Sequence, residues 1–347
     1  MQRQRVLITG LSSFWGGRTA QALERLPSVE VVVGIDTEEP VLQFERTEFV
    51  RADETFSILN RLVRAIRADT VIHAGLVVDS TRIGGGRIHE RNVIGTMNLL
   101  GAIEGGDSPV RALVVKSSTL VYGSSARDPT WFTETTARAG SAYTPVERSL
   151  LEAESYLRDY AEDHANVDVA VLRCANVLGP NIATPVSKAL SLPLVPKMAG
   201  FDPQLQVVEE DDVVRAVCFA VQRRLDGVYN VAGDGRLPWS EIIAIAGKRA
   251  FPLPPAFTAT ATGPLGRLHL VDLPPELLDL LRFGRGVDNS KLKAAGFNYR
   301  YSTAGAVEHF IGAARLRRTV GETEPRYRYE SDVEAFFRHS PAVVRRD

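Results

Sequence analysis

The stretch Ile8–Gly17, ITGLSSFWGG, decides the fold of this chain because it joins an apolar run to a helical pattern through a turn that contains glycine. It continues from the run Arg5–Thr9, and its spacing is T-G-x-x-S-x-x-G, with Gly10, Ser13 and Gly16 at the marked positions. Glycines there keep the turn tight and let backbone N–H groups approach a pyrophosphate at the helix N-terminus. The small hydroxyl of Ser13, in place of a middle glycine, is able to bond phosphate. The stretch therefore predicts a dinucleotide-binding turn.

An acidic residue completes this pattern. Asp36 ends the second apolar run, Val29–Asp36, and stands 20 residues after Gly16. A carboxylate at this place accepts both hydroxyls of an adenosine ribose and repels a 2′-phosphate, so the sequence favours NAD over NADP. Arg18 supports the alternative, because a guanidinium near the ribose tolerates a phosphate.

The first half of the chain alternates short apolar runs with longer amphipathic stretches. Runs that are apolar throughout indicate strands covered on both faces. The βαβα order predicts an α/β fold, a Rossmann doubly wound parallel sheet. A further helix is predicted over Asp212–Arg223. The predicted strands are Arg5–Thr9, Val29–Asp36, Thr47–Val50, Thr70–Gly75, Arg111–Ser118, Val167–Arg173 and Gly227–Gly233.

The pattern changes after Arg173, where proline and glycine become frequent. We expect an NAD-binding Rossmann domain over residues 1–175, to which residues 212–235 return. A smaller, interleaved substrate-binding subdomain is expected from residues 176–211 and 236–312. The charged tail of residues 313–347 wraps the surface, supports a dimer or is loose, and we expect a homodimer.

The composition excludes several classes of protein. The chain has 347 residues, 44% hydrophobic and 24% charged, as is typical of soluble globular proteins. A net charge of −1 argues against nucleic acid or an anionic membrane as a partner. No apolar run reaches the roughly 20 residues of a membrane helix, and no signal peptide is expected. We expect a cytoplasmic protein with Cys174 and Cys218 as buried thiols, and no metal site, because the histidines are scattered.

Several further motifs occur in order between about residue 5 and residue 312. With the glycine turn they resemble the extended short-chain dehydrogenase/reductases, the family of NAD-dependent sugar epimerases and dehydratases. The motifs are HAG (His73–Gly75), NVIGTMNLL (Asn92–Leu100), KSSTLVYG (Lys116–Gly123), LRCANVLGPN (Leu172–Asn181) and VDNSKLKAAGF (Val287–Phe297).

The resemblance implies NAD as cofactor, a small-molecule substrate such as a nucleotide sugar, and hydride transfer between the two. It places Ser118 at the catalytic serine, Asp53 at the aspartate that binds adenine, and Asn176 beside the substrate diphosphate. The family's arginine before the late V-x-D-V segment is absent here, so Arg282, or Arg285, is the candidate to grip that diphosphate. The expected cofactor-binding residues are Gly10, Ser12, Ser13, Phe14, Trp15, Gly16, Asp36, Asp53, Glu54, Ala74, Gly75, Asn92 and Ser117.

The expected acid/base position differs from that of the family. There a tyrosine precedes a lysine by four residues on one helix, whereas here Tyr143 precedes Glu147. An anion in place of a cation raises the pKa of the phenol. Tyr143 is still the only phenol available for catalysis. The pattern Thr144-Pro145-x-Glu147 predicts a capping box that leaves Tyr143 just outside the helix, and we favour this structural role.

Three functions therefore stay open at this point. The first is a nucleotide-sugar epimerase or dehydratase. The second is an NAD(P)-dependent reductase or dehydrogenase of a non-nucleotide substrate, which the apolar insertion FPLPPAFTATATGPLG (Phe251–Gly266) would suit. The third is a non-catalytic, NAD-bound scaffold or regulator.

Overall fold

A seven-stranded parallel sheet lies at the centre of the structure, a computed structural model that describes residues 3–81, 83–105, 107–254 and 273–320. Every neighbouring pair of strands in this sheet runs parallel. The α/β fold predicted from the sequence is confirmed. The strands of the sheet are β1 (Gln4–Thr9), β2 (Val29–Asp36), β3 (Glu48–Arg51), β4 (Thr70–His73), β5 (Ala112–Ser118), β7 (Asp168–Cys174) and β12 (Gly227–Val231). Their order across the sheet is β12-β7-β5-β4-β1-β2-β3.

Helices cover both faces of this sheet, as buried parallel strands require. The described helices before residue 250 are α1 (Phe14–Leu23), α2 (Phe56–Ala65), α3 (Gly85–His89), α4 (Gly95–Ile103), α5 (Pro145–Asp163), α6 (Pro185–Ser191), α7 (Glu210–Arg223) and α8 (Trp239–Ile245). Three more lie at Pro275–Phe283, Ser290–Ala294 and Thr303–Val320. A π-helical turn, Glu90–Ile94, connects α3 to α4, and a 3-10 turn follows β5 at Thr119–Tyr122. In the described parts of the chain, no helix has both the length and the apolar character needed to cross a membrane.

Short strands outside the sheet link the later segments. The pairs are β8 (Asn176–Leu178) with β11 (Val207–Glu209), β9 (Leu194–Met198) with β14 (Arg249–Leu253), β10 (Gln204–Leu205) with β13 (Leu237–Pro238), and β6 (Trp131–Phe132) with β15 (Gly286–Val287). Only the pair of β10 and β13 among these is antiparallel.

Two hydrophobic cores correspond to the two kinds of segment. The first surrounds the sheet, and the second joins α6, α8 and the helices Pro275–Phe283 and Thr303–Val320. Leu292 and Phe297 pack in the first core, although the predicted subdomain boundaries place them with the second. Helix Thr303–Val320 also crosses residue 313, where the tail was predicted to begin. The division into domains stays a prediction, and residues 321–347, like most of the insertion Phe251–Gly266, lie outside the described residues.

Candidate cofactor and substrate site

A cavity of 420 Å³ runs along the carboxyl ends of the central strands and reaches the second core. Ligands of open α/β sheets bind at this edge, where the strand order reverses, here between β1 and β4. The cavity is lined by ten of the predicted site residues, which are Gly10, Ser12, Ser13, Phe14, Trp15, Asp36, Ala74, Gly75, Ser118 and Asn176. Seven others are not part of its lining: Gly16, Asp53, Glu54, Asn92, Ser117, Tyr143 and Arg282.

The glycine turn is shaped by close backbone contacts. Gly10 has a φ of +71°, and a Cβ atom there would lie 2.5 Å from the Cα of Gly75. Glycine is the residue that adopts this conformation without strain and leaves room for the neighbouring chain. A Cβ on Gly16 would collide with the carbonyl oxygen of Gly10, so Gly16 packs helix α1 against the turn instead of facing the cavity.

Ser13 caps helix α1. Its Oγ accepts a hydrogen bond from the Gly16 N–H at 3.0 Å and donates one to the Gly10 carbonyl oxygen at 2.6 Å. The hydroxyl is therefore engaged within the turn, which leaves phosphate binding to the backbone. The first N–H groups of a helix have no intrahelical acceptor. Those of Phe14 and Trp15, which line the cavity, suit an anion at the positive end of the helix.

The Asp36 carboxylate is held at the same end of the cavity. Its Oδ2 accepts from the Ser12 N–H at 3.1 Å and its Oδ1 from the Thr37 N–H at 2.8 Å. Its side chain is 8% exposed and faces the cavity. The Arg18 guanidinium is paired with Asp211 at 2.9 Å, on helix α7. The geometry at Asp36 is that of a fixed carboxylate, which suits ribose hydroxyls.

Glu54 acts on the turn from behind the cavity. Its Oε1 accepts from the Gly10 N–H at 2.7 Å. Burial, reinforced by the nearby charge of Asp36, raises the pKa of Glu54 to about 7. Its neighbour Asp53 is exposed. Glu54 thus positions the glycine turn and does not line the cavity.

Asn92 and Ser117 both form side-chain hydrogen bonds with helix α5. Asn92 is fully buried within the π-helical turn, and its side-chain amide bonds both the N–H and the carbonyl of Val77 and the hydroxyl of Ser149. Ser117 donates to Glu154 Oε1 at 2.5 Å, on α5. The two residues were expected to bind cofactor, but the structure directs their side chains to protein partners.

Ser118 follows Ser117 and has the opposite orientation, as successive residues of a strand do. It lines the cavity, and its Oγ accepts from the Leu120 N–H at 3.2 Å. This bond leaves the hydroxyl proton of Ser118 available to a ligand oxygen. Asn176, the first residue of β8, lines the adjoining part of the cavity.

Tyr143 does not line this cavity. It is 54% exposed, and its hydroxyl donates to Asp279 Oδ2 at 2.5 Å on helix Pro275–Phe283. The pKa of Tyr143 is raised by burial, then by the hydrogen bond and the charge of Asp279, and further by Glu147. Such a phenol is poorly suited to give or take a proton near neutral pH.

The start of helix α5 corrects one expectation. Thr144 is the N-cap, and its hydroxyl accepts from the Glu147 N–H at 3.2 Å, with Pro145 at the first helical position. The predicted capping box is wrong in its second half, because the Glu147 carboxylate does not return to the Thr144 N–H. It is bound instead by the Arg138 guanidinium at 3.2 Å, and both side chains are buried. A buried cation from the segment that precedes the helix has taken the place of the capping contact.

The two candidate arginines differ in their surroundings. Arg282 lies 3.6 Å from Asp279. Arg285 is 4% exposed, lines the cavity, and donates from Nη1 to the Gly123 carbonyl at 3.0 Å. Its Nε has no partner among the described residues. Burial lowers the pKa of Arg285 to about 10, so the group is still charged at neutral pH. The structure therefore brings Arg285 to the cavity in place of Arg282.

Two further residues of the lining had not been expected there. Lys116 is 2% exposed, and its Nζ lies 4.9 Å from the centre of the Trp15 ring. Its signal in the sequence is a lysine inside an apolar strand, two residues before Ser118 and thus on the same face. Glu276 lines the far end of the cavity and accepts from the Ser80 hydroxyl at 3.0 Å. Within the described parts of the chain, no three acidic, histidine or cysteine side chains are grouped as metal ligands.

Residues 6–232 match the family described as the NAD dependent epimerase/dehydratase family. The chain belongs to this family. Membership confirms the resemblance seen in the motifs, and it confirms NAD as the cofactor to consider. The geometry agrees with that cofactor, since the Gly10 turn, the N-terminus of α1 and Asp36 form one end of the cavity.

Similar proteins are found among mycobacteria and among solved structures. Uncharacterized proteins of Mycobacterium tuberculosis and Mycobacterium bovis are 33% identical over 313 residues, which is 88% of this chain and 83% of each relative. The UDP-glucose 4-epimerase of Thermotoga maritima, solved with UDP-glucose, is 20% identical with a TM-score of 0.68, covering 91% of this chain and 100% of that one. The UDP-glucuronic acid 4-epimerase of Bacillus cereus, in complex with NAD, is 17% identical with a TM-score of 0.69, covering 93% and 100%. At these identities the two epimerases show the shared fold.

Proposed function

We propose that this epimerase/dehydratase family member binds NAD in the cavity and acts by hydride transfer on a nucleotide sugar. The observation that supports the proposal best is the continuity of the cavity, whose lining includes Asp36 at one end and Arg285 at the other. A volume of 420 Å³ lies within the usual range of small-molecule sites.

The residues of the cavity divide the work of binding. Asp36 accepts the adenosine ribose hydroxyls, and the N–H groups of Phe14 and Trp15 receive the pyrophosphate. When bound, NAD supplies a hydride acceptor that is able to return the hydride. Ser118 holds the substrate oxygen by donating its hydroxyl proton, because the Leu120 N–H already occupies an acceptor site on its Oγ.

Arg285 supports an anionic substrate. A buried guanidinium with an unpartnered Nε lacks one of its hydrogen bonds in the protein alone. A diphosphate oxygen supplies such a bond and pairs with the charge. The Thermotoga maritima relative, solved with UDP-glucose, is an example of a nucleotide sugar in this fold.

One observation favours a second function, an NAD-bound scaffold or regulator without turnover. The Tyr143 hydroxyl is bonded to Asp279, and position 147 holds a carboxylate where the family has a lysine. The phenol and cation of the usual chemistry are then both missing from the cavity.

The expectations of a homodimer and of a cytoplasmic protein also stay predictions. Light scattering on the purified protein measures its oligomeric state.

Calorimetric titration tests the substrate class. We expect the protein to bind NAD and, in its presence, UDP-glucose. Arg285→Met should weaken UDP-glucose about 10- to 100-fold, because a hydrogen bond to a charged group contributes about 1.5–3 kcal/mol. The matched variant Arg282→Met should bind UDP-glucose as the unmodified protein does. Equal affinities in all three proteins would exclude Arg285 from the substrate site, and no binding of UDP-glucose in the presence of NAD would contradict the proposed substrate class.

Turnover separates the two functions. We expect conversion of UDP-glucose, followed as UDP-galactose by chromatography, if the site is an epimerase. Bound NAD and bound UDP-glucose that stay unchanged over hours would favour the scaffold.

A further inference from the structure

We propose that Lys116 binds the hydroxyls of the nicotinamide-side ribose of NAD, and so supplies from strand β5 the cation that helix α5 lacks. This assignment rests on the NAD site proposed above. It concerns a residue that shares its strand face and its cavity with Ser118.

The position of Lys116 along the sheet selects one half of the cofactor. Asp36 ends β2, and β1 and β4 separate β2 from β5. Three strand spacings of about 4.8 Å place Lys116 roughly 14 Å across the sheet from Asp36. If Asp36 holds the adenosine ribose, an extended dinucleotide reaches Lys116 with its other half. Ser118, two residues further along β5, then lies at the reacting end.

The surroundings of Lys116 leave its amine without a protein acceptor. The Trp15 ring lies against the ammonium, and Cys174 of β7 is the nearby titratable group. Burial raises the pKa of the Cys174 thiol to about 11, so the thiol is neutral and does not pair with a cation. Among the described residues, no carboxylate lies within ion-pair distance of Lys116 and none accepts a hydrogen bond from its Nζ.

An unpaired buried amine destabilises a protein unless a partner arrives. Removing such a group from water costs free energy that a hydrogen-bonding partner recovers. Burial also lowers the pKa of Lys116, which is the same penalty expressed as a proton affinity. The Trp15 ring gives the ammonium a cation–π contact but offers no oxygen or nitrogen acceptor for its N–H groups. The amine is therefore explained by a ligand that brings oxygen acceptors into the cavity.

Helix α5 offers no competing cation. Glu147 occupies the family's lysine position and is bound by Arg138, and Arg148 is exposed. Lys116 lines the proposed NAD cavity from strand β5. In this chain the cation of the site is therefore supplied by a strand, whereas in the family it is supplied by a helix.

Lys116→Met tests the assignment, since methionine keeps the length of the stem and removes the amine. We expect NAD and ADP-ribose to bind at least 10-fold more weakly to the variant and ADP to bind equally well, because ADP lacks the second ribose. Without ligand, the variant should unfold at the same temperature as the unmodified protein or higher. A purely structural role predicts the reverse, a lower unfolding temperature and no selective loss among the three ligands.

Lys188→Met is the matched control, because Lys188 is a half-exposed lysine near Asp79 at 3.9 Å and does not line the cavity. It should leave all three affinities unchanged. Lys116→Gln, which keeps donors without the charge, should give a smaller loss for NAD and ADP-ribose, and it serves if the methionine variant does not fold.

Each other outcome overturns the assignment in a recognisable way. An equal loss for all three ligands would indicate the pyrophosphate, and a loss for NAD alone would indicate the nicotinamide ring. Unchanged affinities would exclude Lys116 from the site. If the unmodified protein binds none of the three ligands, the NAD site fails and the role of Lys116 fails with it.

Discussion

The two ends of the cavity are held together in different ways. At the adenosine end, Gly10, Ser13 and Asp36 are held by hydrogen bonds that each join a backbone group to a side chain. At the reacting end, the contacts of Tyr143 with Asp279 and of Glu147 with Arg138 each join one side chain to another. The first end keeps the family pattern, and the second departs from it. The comparison teaches that the two ends differ in what their contacts require: the first uses backbone groups, which every residue carries, and the second depends on the identity of two side chains at once.

The largest effect is expected where the family lysine is restored at the reacting end. Glu147→Lys should destabilise the protein by about 3–5 kcal/mol, because it removes the buried partner of Arg138 and adds a third cation near Arg285. Urea unfolding measures this loss. The exposed neighbour variant Arg148→Lys should unfold like the unmodified protein. A stable Glu147→Lys protein would show that the reacting end tolerates the family pattern after all.

The adenosine end should respond in affinity more than in stability. Asp36→Ala should weaken NAD by about 10- to 100-fold, since hydrogen bonds to a charged group contribute about 1.5–3 kcal/mol. The preference for NAD over NADP should shrink as well, because the charge that repels a 2′-phosphate is gone. Calorimetry with both coenzymes measures the ratio. Tighter binding of NADP by the unmodified protein would contradict the role given to Asp36.

A dependence of stability on pH is expected from Glu54, behind the glycine turn. Its pKa is about 7 in the folded protein and about 4.5 in an unfolded chain. The folded state therefore holds the proton more tightly, and the contribution of Glu54 to stability falls as the pH rises from about 4.5 to about 7. Glu54→Gln should remove this slope while keeping an acceptor for the Gly10 N–H.

The measurement is the difference between the unfolding free energies of Glu54→Gln and the unmodified protein across that range. The difference isolates Glu54 from His73, whose pKa burial lowers to about 4, so that its contribution is lost as the pH falls below about 6.5. A difference that does not change with pH would show that the pKa of Glu54 is the same in the folded and unfolded states.

The smallest effects are expected at the start of helix α5. Thr144→Ala should reduce stability by about 1 kcal/mol, because it removes the N-cap. Tyr143→Phe should change stability by less than that and leave the affinity for NAD unchanged, since it removes one hydrogen bond from a half-exposed hydroxyl. Thermal unfolding and calorimetry check both. A hundredfold loss of turnover in Tyr143→Phe would show that the phenol is a working acid/base.

The sequence predicts well the features that depend on neighbouring residues. The glycine turn, the strand that ends at Asp36 and the Thr144 cap follow from local backbone geometry, and the structure contains all three. The parallel sheet follows from the run of apolar strands, which need cover on both faces.

Contacts between pairs of side chains were harder to predict. Glu147 has the spacing of a capping box, yet Arg138 offers a charged partner in a buried place, where that contact is stronger. Arg282 and Arg285 are three positions apart in the sequence. Arg282 lies within the helix Pro275–Phe283 and Arg285 lies beyond its end, so only the tertiary fold distinguishes the two arginines. Asn92 and Ser117 match the family motifs, but their directions depend on α5.

The contact between Gly10 and Gly75 sets a boundary for redesign of this protein. Any larger residue at Gly10 would need both a disfavoured φ and a shift of the chain after β4. Libraries aimed at a new coenzyme should therefore hold Gly10 constant and vary the surface that follows Asp36, where Glu38 also lines the cavity. Substitutions placed there change what the pocket accepts. Substitutions at Gly10, where the two segments of the chain meet, mostly remove folded variants from the library.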